Sequence, residues 1–126
     1  MSRDLMRSQF RAKAAGEQSL MGLSGGISVV IKQFLVEFGK ENLEDGLAFG
    51  KELFDELMNA WDMPRVPDFL EKRLEEWAWS KIEKAVRDFV TKLPDELPSN
   101  GGKFLFASAS PEKQAELMAL ANDPTL

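Results

Sequence analysis

The sequence has 126 residues, with 16 Lys and Arg against 21 Asp and Glu and a formal net charge of −5. This length predicts one domain, and 44% hydrophobic with 29% charged residues is typical of a soluble globular protein. The negative net charge argues against a surface that binds nucleic acid throughout, because phosphate contacts need clustered Lys and Arg.

Three residue types are missing from the sequence: Cys, His and Tyr. Without Cys, the chain has no disulfide framework and no thiolate metal site. Without His, it lacks the usual general base near neutral pH and the commonest nitrogen ligand of metals. We therefore expect a protein that is not an enzyme and that holds neither a cofactor nor a metal.

A basic arm occupies residues 1–16, ahead of a single helical domain at 17–126. The cationic residues of the arm are Arg3, Arg7, Arg11 and Lys13. The three arginines recur every four residues, which places them on one face of a helix. This face predicts docking on an acidic helix of the same chain or of a neighbouring one. Contact with nucleic acid or an anionic membrane is the alternative.

Small residues make 16–26 resemble a flexible connector. From 27 to 38, the apolar residues follow a helical period, which predicts a helix that is apolar on most sides and therefore central or interfacial. The β-branched run 27–31 also fits a short strand, so both remain open there, with the helix favoured. The apolar stretch 20–38 includes two charged residues and adjacent glycines, which disfavours a transmembrane helix. With no secretory signal visible, we expect a cytoplasmic protein.

A second helix is predicted over residues 43–62, with one apolar face and one acidic face. Gly46 and Gly50 lie one turn apart on the apolar face, and this spacing predicts a close crossing with another helix of the bundle. The acidic residues of the other face are Glu44, Asp45, Glu52, Asp55, Glu56 and Asp62. They form a solvated surface or a docking site for the arm, and a divalent-cation site is a weaker interpretation.

The longest helix is predicted at about 68–93, and its apolar residues fall into two clusters around the helix axis. The first cluster contains Leu70, Leu74 and Trp77, and the second begins at Trp79. We expect one half to pack within the domain and the second half to contact a second chain, because Trp is enriched at interfaces. Internal packing of both halves is the alternative. The candidate interface residues are Trp77, Trp79, Val86, Val90 and Leu93.

The remaining sequence predicts a loop, a short extended segment near 103–108 and a last helix. Ser110 and Pro111 mark the start of that helix as its N-cap and its first helical residue. The elements together predict an all-α fold of four to five helices in a small bundle, with one long amphipathic helix.

The sequence favours a protein that acts through protein–protein contacts, as a homo-oligomer or as a structural subunit of a larger assembly. Three Trp and nine Phe supply more apolar surface than one small core needs. A component of a bacterial or phage particle fits this profile, although no motif specifies it. The alternative function is a regulator that binds nucleic acid or an anionic membrane surface through the arm.

Overall fold

Five helices occupy most of the described residues in this computed structural model. They are α1 (Arg3–Ala14), α2 (Leu20–Phe38), α3 (Leu43–Ala60), α4 (Asp68–Lys92) and α5 (Pro111–Ala121), with a 3₁₀ turn at Lys40–Asn42. The structure describes residues 3–14, 19–60, 67–93, 99–100, 103–104 and 110–126. These residues form an all-α bundle with one long helix, which confirms the predicted fold class.

Helix α2 is the central element, because α1, α3, α4 and α5 all pack against it. Its apolar side chains lie on most sides of the axis, and Ile27, Ile31 and Leu35 are completely buried. The run 27–31 is helical, which confirms the favoured interpretation. Burial on several sides outweighs the strand preference of Ile and Val.

Helix α2 is also the one described helix that is long and apolar enough to cross a membrane by length and composition alone. More than half of its apolar window is buried inside the bundle, and the core helix of a soluble protein has the same properties.

The start of α2 corrects the expected connector at 16–26. The helix begins at Leu20, and residues 15–18 lie outside the described part of the chain. Ser19 is the N-cap, since its side chain accepts a hydrogen bond of 3.0 Å from the backbone N–H of Gly22.

The glycines of this region are sites of close packing within the helix. A Cβ atom on Gly25 would lie 2.8 Å from the backbone oxygen of Pro124. A Cβ atom on Gly26 would lie 3.0 Å from the ring of Phe10. The small residues therefore let the first turns of α2 approach α1 and the C-terminal residues. The sequence pattern alone suggested flexibility for this stretch instead of close packing.

The turn from α2 to α3 depends on Gly39, whose φ of +101° favours glycine. Its backbone N–H donates to the oxygen of Leu35 at 2.8 Å, and the side chain of Asn42 donates to the oxygen of Phe38 at 2.6 Å. These bonds satisfy carbonyl groups at the end of α2. Helix α3 ends at Ala60, and the last two residues of the predicted helix lie outside the described part.

The C-terminal residues after α5 fold against α2. The side chain of Gln33 donates to Oδ1 of Asn122 at 2.8 Å, and Nζ of Lys32 donates to the backbone oxygen of Asp123 at 2.8 Å. Together with the close packing at Gly25, these bonds hold the C-terminal segment beside the central helix.

A two-stranded antiparallel sheet precedes α5. Strand β1 (Ser99–Asn100) pairs with strand β2 (Lys103–Phe104). Of the extended segment predicted near 103–108, the structure describes β2 alone. Helix α5 begins as predicted, because Oγ of Ser110 accepts a hydrogen bond of 3.2 Å from the backbone N–H of Lys113.

Candidate functional site

The first half of α4 exposes an apolar surface. Phe69 is 69% exposed, Trp77 is 45% exposed and Leu70 is 39% exposed. Leu74 lies one turn from both Leu70 and Trp77 and is half-buried. We call these four residues the α4 face. Nζ of Lys81 lies 5.9 Å from the ring centroid of Trp77, so a cation borders the face. Exposed apolar groups with a charged border are typical of protein interaction sites.

The second half of α4 is buried inside the bundle, which corrects the predicted position of the interface. Val86 is completely buried, Leu93 is buried, and Val90 is half-buried against the same core. These side chains contact α2 and its neighbours, so they are not available as a free surface for a second chain. Self-association itself stays a prediction.

The two tryptophans of α4 point in different directions, as their spacing predicts, but their roles are reversed. Trp79 is half-buried, and its ring centroid lies 5.7 Å from that of Phe54 on α3. Trp77 lies on the exposed side. The residue chosen to lead the predicted interface therefore packs within the chain, while its neighbour is on the surface.

Helix α1 docks on the acidic face of α3 in the same chain. Nη2 of Arg7 lies 3.5 Å from Oε2 of Glu52, and the guanidinium of Arg11 donates a hydrogen bond to Glu56. These two arginines thus contact acidic residues of the helix face that was predicted as a docking site for the arm. Exposed ion pairs contribute about 0–1 kcal/mol each, so they orient α1 more than they stabilise it.

Apolar contacts supply most of the attachment of α1. Met6 and Phe10 are buried in the common core, and burying one such side chain contributes roughly 1.5–3 kcal/mol. The guanidinium of Arg3 lies 5.2 Å from the ring centroid of Phe34. The arm is therefore packed into the bundle in this structure. Lys13 belongs to α1, but its side chain lies outside the described part.

Gly46 and Gly50 lie where α3 crosses α2. A Cβ atom on Gly46 would lie 3.1 Å from Cδ1 of Phe34, and one on Gly50 would overlap Cδ1 and Cγ1 of Ile31. The structure thus places both glycines at a close helix approach of the kind that their spacing predicts. Because Gly50 has no side chain, Ile31 fills the space beside it, and the contact at Gly50 is the tighter of the two.

A second feature is a groove between α4 and the C-terminal residues, with a volume of about 340 Å³. Its ionisable lining residues are Lys32, Lys81, Lys84, Asp88, Lys92 and Asp123. We call it the lysine groove. The sequence reasoning missed it, although Lys81, Lys84 and Lys92 share one side of a predicted helix. The missing information was the position of Lys32, which lies on the apolar central helix.

Lys32 is the buried member of the lysine groove, with 5% of its surface exposed. Its Nζ atom donates to the backbone oxygen of Asp123 and lies 6.0 Å from the ring centroid of Phe89. Burial lowers the pKa of Lys32; the charge of Asp123 opposes this effect, and the charge of Lys92 adds to it. An ammonium group has three donors, so the bond to Asp123 leaves donors for a further acceptor.

A second cavity, of about 460 Å³, lies between α1, α2 and the C-terminal residues. Its walls include Met6, Phe10 and Leu23, and the amides of Gln9 and Gln33 supply polar groups. All of its lining residues are uncharged, so the cavity offers shape and hydrogen bonds but no acid, base or nucleophile of the usual kinds.

The acidic face of α3 is occupied by cations of the same chain. Glu52 and Glu56 pair with α1, and Oδ1 of Asp55 lies 2.9 Å from Nζ of Lys51. Within the residues that the structure describes, no group of three or more acidic residues is placed to hold a metal ion. Elsewhere, burial and the charge of Glu71 raise the pKa of Glu75 on α4.

No family model, curated protein or solved structure matches this chain. The functional interpretation therefore rests on the α4 face, the docked arm and the lysine groove.

Proposed function

We propose that the protein is a non-enzymatic structural subunit that associates with protein chains through the α4 face, and that its first partner is a second copy of itself. The observation that carries this proposal is the exposure of Phe69, Leu70 and Trp77 on one half of a helix whose other half is buried. Burying apolar surface stabilises by about 25 cal/mol per Å². Symmetric dimers are the commonest soluble oligomers.

The border of the α4 face supports the same role. Charged residues of both signs accompany the apolar residues in this part of α4, and one of them, Arg73, lies one turn from both Phe69 and Trp77. The others are Glu71, Lys72, Glu75 and Glu76. An apolar centre inside a polar border is the usual composition of a protein interface. Trp is also among the residues that contribute most to binding when it is buried at the centre of such a contact.

The arm is less suited to the alternative role of binding nucleic acid or an anionic membrane. Arg7 and Arg11 already contact Glu52 and Glu56. Phosphate binding through these arginines requires the ion pairs to break, and release of α1 also exposes the buried Phe10. We therefore prefer the protein-interaction role, in which the arm keeps its place on α3.

Membership of a larger assembly, such as a bacterial or phage particle, and a cytoplasmic location are the finer parts of this proposal. They are supported by a small helical chain that has an exposed apolar face and lacks reactive Cys and His residues.

The molar mass in solution, measured by light scattering across a range of concentrations, tests the proposal. We expect the wild-type mass to rise above the 14.2 kDa of one chain and to persist in high salt, which strengthens apolar association but weakens phosphate binding. The Trp77→Ala variant should dimerise roughly thirtyfold more weakly, which corresponds to about 2 kcal/mol.

Met21→Ala is the matched control, because Met21 is 46% exposed but lies on α2, away from the α4 face. Circular dichroism should show the same helical content in both variants. A wild-type protein that stays at 14.2 kDa at every concentration would refute the self-association. An equal loss of mass in the Met21 variant would show that association uses another surface.

A further inference from the structure

The lysine groove carries an excess of positive charge. The side chains that line it carry four ammonium groups and two carboxylates, those of Asp88 and Asp123, so the positive charges exceed the negative ones by two. Oδ1 of Asp123 accepts a hydrogen bond of 3.0 Å from the backbone N–H of Thr125, and this carboxylate keeps its negative charge, which acts on Lys32 and Lys92. Hydrogen bonding to Thr125 also holds the pKa of Asp123 below its ordinary value. The groove therefore retains cations that its own acids do not neutralise.

Lys84 and Lys92 are the clearest examples. Among the described residues, neither lysine has a hydrogen bond or a close ion pair, although Asp88 lies one helical turn from each and the charge of Lys92 contributes to the lowered pKa of Asp123. The neighbouring cation Arg87 differs, since its guanidinium lies 2.9 Å from Oε1 of Glu83. Like charges held along one side of a helix repel each other, and a bound anion relieves that repulsion.

The buried end of the groove supplies a preplaced donor. Lys32 is fixed by its bond to Asp123 and by its position over Phe89, and it keeps donors for a further acceptor. Phe89 and Leu120 add apolar walls. A site with a buried ammonium group, apolar walls and an outer row of lysines fits a small molecule that has a compact, multiply charged head.

We propose that the lysine groove binds a phosphate-bearing small molecule, with its phosphate held between Lys32 and the lysines of α4. Lysine is a common phosphate ligand because its ammonium group acts as a strong point charge. The volume of about 340 Å³ accommodates a phosphate with a small organic group. This site shares Lys81 with the border of the α4 face but uses none of the four apolar residues of that face, and it does not depend on self-association.

Calorimetric titration of the full chain with inorganic pyrophosphate at low ionic strength tests the site. We expect saturable binding that weakens about tenfold in Lys84→Gln and in Lys92→Gln, since each loses one charge-assisted contact. Lys72→Gln is the matched control, because Lys72 is an exposed lysine of α4 outside the groove. Its affinity should stay within about twofold of the wild type. Lack of binding by the wild type, or an equal loss in Lys72→Gln, would overturn the proposal.

Vesicles of phosphatidylcholine with phosphatidic acid distinguish the source of the phosphate. Vesicle binding that pyrophosphate displaces and that Lys84→Gln weakens supports the site and identifies a lipid headgroup. Pyrophosphate binding without vesicle binding supports the site and identifies a soluble phosphate compound. Vesicle binding that Lys84→Gln leaves unchanged, in a protein that does not bind pyrophosphate, would assign the phosphate contact to another surface and refute the groove.

Discussion

Gly46→Ala and Gly50→Ala should have different effects on stability, although each adds one methyl group to the same face of α3. At Gly46 the new Cβ atom would lie 3.1 Å from Cδ1 of Phe34 and 3.3 Å from Cδ2 of Leu35. At Gly50 it would overlap two atoms of Ile31. The first position needs a small adjustment, whereas the second needs a side chain or a helix to move.

The magnitudes follow from two opposing effects. Replacing Gly by Ala inside a helix stabilises it by roughly 0.5–1 kcal/mol. Overpacking a buried site costs about 1–3 kcal/mol. Ile31 is completely buried, so its side chain has little room to rotate away. We therefore expect Gly50→Ala to lower the free energy of unfolding by about 1–2 kcal/mol, and Gly46→Ala to change it by less than about 0.5 kcal/mol.

Urea unfolding followed by circular dichroism measures both changes, and a constant m-value would show that the denatured state is unaffected. A double variant adds a direct test of the contact. Ile31→Val removes Cδ1, the nearer of the two atoms that the new Cβ atom of Gly50→Ala overlaps, and leaves Cγ1. The double variant should therefore be more stable than the sum of the two single changes predicts.

Two results would refute this reasoning. Equal stability changes at Gly46 and Gly50 would mean that α3 does not approach α2 more closely at Gly50. Strict additivity of Gly50→Ala with Ile31→Val would mean that the overlap with Cδ1 of Ile31 does not cause the destabilisation.

The ionisable residues give two further predictions. Burial lowers the pKa of Lys32 in the folded state, so keeping this side chain protonated at neutral pH lowers the free energy of unfolding. This loss of stability disappears when the pH exceeds 10.5, the ordinary pKa of lysine, because the side chain is then neutral in both the folded and the unfolded state. The free energy of unfolding of Lys32→Met minus that of the wild type should therefore decrease as the pH rises from neutral to above 10.5, and a difference independent of pH in urea unfolding would contradict this. Arg11→Ala, which removes the exposed contact with Glu56, should cost about 0–1 kcal/mol at low salt and nearly nothing at high salt, whereas a larger, salt-independent cost would contradict the orienting role.

Helix positions and capping residues were largely predictable from the sequence. The helical period over 27–38 predicted a helix despite the strand preference of 27–31, and this prediction is confirmed. Burial on several sides favours the helix there. Ser110 was predicted as an N-cap from the residues next to it, and in the structure its side chain forms the cap with a backbone N–H of the same helix. The connector at 16–26 was wrong because a Gly-rich stretch has the same composition whether it is mobile or closely packed.

The charged sites were predictable only in part. The spacing of Arg3, Arg7 and Arg11 placed them on one side of a helix, and the acidic side of α3 was the natural complement. Attachment to the same chain was one of two open alternatives, since charge complementarity does not distinguish two copies of one surface. The lysine groove was missed because it combines residues from α2, α4 and the C-terminal segment, which only the tertiary structure brings together.

The exposed half of α4 has a geometric cause that helix lengths explain. Helix α4 has 25 residues, whereas α2 has 19 and α3 has 18. At a rise of about 1.5 Å per residue, α4 is therefore roughly 9 Å longer than α2, so one of its ends extends beyond the helices that cover it. The predicted helix lengths already differed in this way. They did not show which end of α4 extends, because that depends on how the helices are connected. Because the second half of α4 packs on α2, the extending end is the first, where Phe69 and Leu70 lie exposed. Since a solvent-facing helix end has no need of large apolar groups at these positions, their presence there favours a second protein surface over simple overhang.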